Sequence, residues 1–179
     1  LILALYEHPY GVDTTDGNVA VYDVDRNSAS FGAASIAGHA LVWKLEERVG
    51  EGAKLAASVE LNPDLNWLLR CDRVDFPPGG VAYRHTHPGP GIRCLLHGSI
   101  RIESGDETHV YGALEPWFEL GPEPVLAFVS ETEETAFVRA MLVPGEWAGK
   151  RTIRYVDPAD EGKPKLQRAT VFFDEPIQL

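Results

Sequence analysis

Two histidines one residue apart, His85 and His87, are the residues of this sequence best suited to do chemistry. They lie in an alternating stretch, residues 80–87, that predicts a strand, and on a strand residues two apart share a face. Both imidazoles therefore address the same space. Neutral imidazole is a good donor to divalent first-row ions. One more imidazole or carboxylate from a neighbouring strand would complete a three-donor site with positions open to water or substrate. Arg93 and Leu95 share the face of Gly91 and point inward if Gly91 does, and Tyr83 shares the face of His85. An inward guanidinium needs an anion. The anion is either an internal carboxylate such as Glu119 or the carboxylate of a substrate, which a guanidinium grips with its two-pronged fork. Arg93 and Tyr83 are thus the candidate substrate-binding residues.

The spacing around the histidine pair resembles the first motif of the cupin superfamily: Gly79, five residues, His85, Thr86, His87, three residues, Gly91, six residues, Gly98. Both end glycines and both histidines match, whereas Gly91 stands where the family carries a glutamate. The family's second motif corresponds to residues 112–124 in degenerate form. No histidine follows His109, so the family's last histidine ligand is missing. The resemblance covers residues 68–143. It implies an all-β chain built as a cupin-type double-stranded β-helix, or jelly-roll, barrel. It also implies one divalent transition metal ion (Fe, Zn, Ni or Mn) on His85 and His87, and a homodimer paired through edge strands. Glu119 is the first candidate for a replacement ligand, or for a general base beside the metal, because it sits on the strand that enters the second motif. Glu123, on a Gly-Pro turn, is the second. In a chain with 27 acidic residues either is also readable as a solvated carboxylate.

The elements that must position these residues are short strands. Apolar or alternating runs occur at 68–76, 80–87, 91–96, 99–103, 107–111, 116–119, 124–130 and 135–143, and Gly, Pro, Ser and Asp clusters separate them. That punctuation predicts a β-sandwich or small barrel. The segment 39–49 fits both a helix and a strand, and its β-rich surroundings favour a strand. Asn62-Pro63 predicts the capped start of a short helix. A further strand is expected at 169–173. The flanks 1–67 and 144–179 are expected to complete the sheets and build the dimer interface around one domain. Cys94, opposite in face to Arg93, reads as a small buried apolar residue. His109 reads as a solvent-side residue beside a Ser-Gly-Asp hairpin turn, and the tryptophans as packing or rim residues.

A formal charge of −11 argues against a nucleic-acid or anionic-membrane partner, since both reward a concentrated positive field. At 44% hydrophobic residues the chain can build a core. Cys71 and Cys94 are too few to staple it, so a reducing, cytoplasmic compartment is expected. The apolar run 1–6 is far short of a membrane span. The absence of an initial Met leaves room for an upstream targeting segment. The function read from these features is a metal-dependent barrel acting on a small, carboxylate-bearing molecule by oxygenase, isomerase or lyase chemistry. The alternative is a non-catalytic barrel that binds or senses a small ligand with weak metal or none.

Overall fold

The computed structural model describes residues 1–179. Seven strands precede the barrel: β1 (Ile2–His8), β2 (Val12–Asp13), β3 (Val19–Asp23), β4 (Ser28–Phe31), β5 (Ser35–Ile36), β6 (Ala40–Glu46) and β7 (Ala53–Ser58). Ten follow: β8 (Trp67–Phe76), β9 (Val81–Thr86), β10 (Gly91–His97), β11 (Ile100–Ser104), β12 (Glu107–Tyr111), β13 (Pro116–Glu119), β14 (Val125–Val129), β15 (Thr135–Pro144), β16 (Arg154–Tyr155) and β17 (Arg168–Pro176). Two short 3₁₀ turns, Gly145–Trp147 and Pro158–Gly162, interrupt the C-terminal part.

The strands from β8 to β15 pair as one long antiparallel hairpin: β11 with β12, β10 with β13, β9 with β14 and β8 with β15. Gly105, at φ 56°, makes its tip. Folding that hairpin over on itself adds the pairs β10–β15 and β11–β14 and yields two sheets, β13-β10-β15-β8-β17 and β12-β11-β14-β9-β16. That strand order is a jelly roll. The two inner faces meet in an apolar core that includes Val74, Leu95, Trp117 and Phe137 from one sheet and Ile100, Ile102, Val125 and Ala127 from the other. The C-terminal flank adds β17 to one sheet beside β8 and β16 to the other beside β9.

The N-terminal flank joins neither barrel sheet. It forms a sheet of its own, β4-β3-β6-β1-β7, whose Leu3, Leu5, Leu41 and Trp43 pack on Leu69, Ile92, Cys94 and Val138 of the first barrel sheet. The molecule is therefore three sheets deep, and the middle sheet is covered on both faces. The indole Nε1 of Trp43 donates to the Ile92 carbonyl at 3.0 Å and ties the outer layer to the middle one. β6 reads ambiguously in sequence because both of its faces are covered: Leu41 and Trp43 face the barrel, while Val42 packs with Ala4 and Val21 on the other side. Residues 62–65 form a turn rather than the expected helix. The Asn62 side chain accepts from the Asp64 N–H, and Trp67, which already begins β8, donates its indole N–H to the Asn62 carbonyl before a second turn can form. No helix is long and apolar enough to cross a membrane.

Candidate metal and ligand site

Register decides what reaches the barrel interior. Across the middle sheet, one inward row runs Trp117, Arg93, Arg139, Asp72, and the next runs Glu119, Gly91, Met141, Arg70. Arg93 and Arg139 are thus direct cross-strand neighbours. Two like charges opposite each other are unfavourable unless each finds an anion. Arg139 takes Asp72, donating Nε–H and Nη2–H to its two carboxylate oxygens at 2.6 and 3.0 Å. Arg93 takes Glu119, with Nη2 at 2.6 Å from Oε2, and donates Nη1–H to the Gly91 carbonyl at 2.7 Å. Trp117 donates its indole N–H to the other Glu119 oxygen at 2.8 Å. Arg93 is 0% exposed, and burial pushes its guanidinium down to about 10 against the pull of Glu119. This is the internal ion pair among the two partners that the sequence allows for Arg93.

Gly91 has no room for a side chain. A Cβ built on it would meet Met141 Cγ at 2.6 Å and the Ala140 carbonyl at 2.7 Å, so no side chain fits there. Its cross-strand partner is Glu119. A carboxylate is therefore delivered from β13 opposite the position that β10 leaves bare.

His85 and His87 come from the other sheet and are both 5% exposed. Their Nε2 atoms lie 3.2 Å apart. His85 Nδ1 is 2.7 Å from the Tyr83 carbonyl, which can only accept, so that nitrogen carries the proton. Arg139 Nη1, which can only donate, is 3.3 Å from His87 Nε2. His87 then holds its proton on Nδ1, which faces the Thr152 backbone out of hydrogen-bond alignment. Both Nε2 atoms consequently present a lone pair toward the space between the rings, and that of His87 is already reached by the Arg139 N–H. Burial lowers the pKa of both rings, and that of His87 well below its usual value with help from Arg139 and Arg93, so both are in the neutral, ligating form near pH 7.

This donor set can be tested against a metal ion. Donors bonded to one ion at about 2.0–2.2 Å stand roughly 3–3.5 Å from each other, and the two Nε2 atoms meet that spacing. Glu119 Oε2 lies 3.8 Å from His87 Nε2 and is out of hydrogen-bond alignment with its ion-pair partner Arg93. As placed, no three side chains form a completed metal site. The two imidazoles fit an ion, and the carboxylate stands just short of it under the hold of Arg93.

Beside this cluster the barrel encloses a cavity of about 320 Å³. Val74, Phe76, Ile100, Ile102, Trp117 and Phe137 make its apolar walls, and His85, His87, Glu119 and Arg139 its polar end. Residues 149–153, Tyr155, Lys165 and Gln167 also line it. Glu123 is not in this cavity. It lines a second recess with His109 and Tyr111, which shares Trp117 and Glu119 with the cavity.

Tyr83 does not share the space of His85 as alternation alone predicts. The β9–β14 register slips between Val125 and Ala127, whose partners are His85 and Ala82. That extra residue lets Ala82 and His85 both line the cavity and leaves Tyr83 outside the lining. Its ring packs 6.4 Å from that of Tyr155 and lies beneath Lys163. Sequence reasoning overlooked Asp72, Arg139 and Tyr155. The first two had a signal, since a lone charge inside an apolar run such as 135–143 must be buried and paired. Tyr155 had none, because its strand is two residues long.

No family model matches the chain, and no curated protein does. Among solved structures it is similar to the polyketide cyclase RemF from Streptomyces resistomycificus, at 22% identity over 51% of this chain with a TM-score of 0.38. That match spans 61% of the cyclase chain. It is also similar to two structures of oxalate oxidase. One is from a study of that enzyme's mechanism, at 19% identity over 85% of each chain with a TM-score of 0.43. The other is a complex with the substrate analogue glycolate, at 20% identity over 84% of this chain and 87% of that chain with a TM-score of 0.42. These scores are low. The jelly roll follows from the strand order and the chemistry of the site from its own atoms, and neither rests on them.

Proposed function

We propose that this barrel binds one divalent first-row transition metal ion through His85 and His87, with Glu119 as third donor, and acts on a small molecule held in the adjoining cavity. The observation that carries this reading is the pair of buried imidazoles whose Nε2 atoms lie 3.2 Å apart, the spacing of two donors on one ion. Bound there, an ion would polarise an oxygen of the ligand. The chain's own contributions follow from the geometry. The apolar walls hold the body of the ligand and exclude water. Arg139, kept in place by Asp72, presents positive charge to oxygen atoms beside the pair. Glu119, between Trp117 and Arg93, either is that third donor or, left off the ion, is the carboxylate that takes up a proton from the ligand. Oxygenase, isomerase and lyase reactions all use such a set.

A non-catalytic ligand-binding barrel is the second reading. It is favoured by Arg139 sitting 3.3 Å from a would-be ligand nitrogen, where its charge opposes a cation. Element-resolved metal analysis of untagged protein separates the two. About one ion per chain is expected, falling to background in a His85→Ala/His87→Ala variant that keeps its fold by circular dichroism. Substoichiometric metal unchanged by the double substitution would overturn the metal reading and leave the binding barrel.

A further inference from the structure

We infer that the ligand of the cavity is an uncharged hydroxyarene of about two rings, whose O–H donates to the polar end and whose rings fill the apolar part. This deepens the reading above and rests on that cavity being the ligand site. Size argues for the rings. An apolar cavity of about 150 Å³ takes one benzene ring, and this one, at about 320 Å³, has room for two. A short-chain acid would leave most of it empty and forfeit the dispersion contacts of the walls. Part of the wall is itself aromatic: the Phe137 ring centroid stands 5.3 Å from that of Trp117 and 6.1 Å from that of Phe76. Such a wall suits an aromatic guest, which can meet it edge to face or offset.

Charge argues for neutrality. At the polar end the anions Asp72 and Glu119 are each met by one cation, Arg139 and Arg93. Elsewhere in the lining Arg70 is held by Asp174, and Arg151 and Lys165 share Glu161. Lys150, the remaining lining cation, is exposed, where water screens it. A carboxylate or an ammonium among these closed pairs would be a buried charge with no counter-ion, which is costly. Hydrogen bonding then selects the polar group. The donors of the polar end are already directed at acceptors: His85 Nδ1 at the Tyr83 carbonyl, the Trp117 indole at Glu119 Oε1, and the Arg139 guanidinium at Asp72 and His87. The open groups are acceptors. His85 Nε2 faces only another ring nitrogen, and Glu119 Oε2 is buried without a hydrogen bond in good alignment. Buried acceptors are ordinarily satisfied, so the ligand must bring the donor. A hydroxyl does so, whereas an ether, a ketone or a carboxylate does not.

The test is calorimetry on the whole chain at pH 7, as purified and again after chelation, with three probes that share one pair of fused rings. The probes are 2-naphthol, uncharged at this pH as phenols are, 2-methoxynaphthalene, which lacks the O–H, and 2-naphthoate, which carries a charge. In both preparations 2-naphthol is expected to bind about 10-fold or more tightly than the ether, the advantage of a hydrogen bond to a charged or strongly basic acceptor. It should exceed 2-naphthoate by at least as much. Ala127→Phe, which places a ring inside the cavity, should abolish 2-naphthol binding while the circular dichroism stays that of wild type. Binding of none of the probes, an ether bound as tightly as the naphthol, or a naphthoate bound as tightly or more tightly would each overturn the assignment. So would a folded Ala127→Phe protein that binds 2-naphthol like wild type. The metal reading fails separately. Metal at background with the 2-naphthol preference intact removes the ion and leaves this ligand class standing. One ion per chain with no preference among the probes removes the ligand class alone.

Discussion

Glu119→Gln isolates the forces at the centre of the barrel. The substitution keeps shape and removes one charge, leaving the Arg93 guanidinium, fully buried and 2.6 Å from the former carboxylate oxygen, with no anion of its own. Arg139 stands directly opposite on the neighbouring strand, and its partner Asp72 is already engaged at both oxygens. Breaking a buried ion pair from one side costs about 3–5 kcal/mol. For a chain of this length each kcal/mol moves the melting temperature by about 2–4 °C, so a fall of about 6–20 °C is expected. Removing both charges in Arg93→Met/Glu119→Gln should recover most of that loss, because the cost arises from the stranded cation and not from the pair's own attraction. Urea denaturation and thermal melts of chelator-treated protein check this. If the single variant costs under about 1 kcal/mol, or if the double variant is as unstable as the two single effects added, Arg93 is not held by Glu119 and the reasoning fails.

Two other outcomes follow from the same strands. Gly91→Ala forces a methyl against Met141 Cγ and the Ala140 carbonyl, so the urea midpoint should fall by the equivalent of about 1–3 kcal/mol at unchanged slope; an unchanged midpoint would mean that the two strands are further apart than they stand here. Asp174 accepts two hydrogen bonds from Arg70 and one from the Gly149 N–H. Burial alone would raise its pKa, but these donors prevail and hold it below 3.8. A depressed folded pKa means that the unfolded chain takes up the proton first as pH falls, so this carboxylate's stabilisation is present above the unfolded value and is lost through the folded one. Asp174→Asn should therefore be clearly less stable than wild type at pH 7, with the gap narrowing by pH 3; a gap independent of pH would exclude this linkage.

The sequence makes the barrel strands legible because each is bounded by residues that break a strand, and the bounds expected between 68 and 143 match those observed to within a residue or two. The convergence of His85 and His87 is legible for a similar reason, since it depends only on a period of two. Tyr83 is misplaced by the same rule, because the slip between β9 and β14 is set by the partner strand and leaves no mark in local alternation. The Asp72–Arg139 pair joins strands 67 residues apart. Each charge is visible alone, but nothing local states which will meet. The separate N-terminal sheet was equally hidden: its residues read as strands, and only the apolar outer face of the middle sheet, Leu69, Ile92, Cys94 and Val138, decides where they pack.

Because the middle sheet has a layer on each side, the amides of its central strands β8, β10 and β15 have little access to solvent and are expected to be its slowest to open. Arg70, Asp72, Arg93, Glu119 and Arg139 all ride on it, so the charged end of the cavity behaves as a fixed template. The opposite sheet has no such cover, and β16, paired by two residues to the edge of β9, is its weakest member. Opening of the cavity is therefore expected to begin on the side that carries Tyr155. A ligand would enter and leave by local fraying of a short strand while the ion-paired wall stays still.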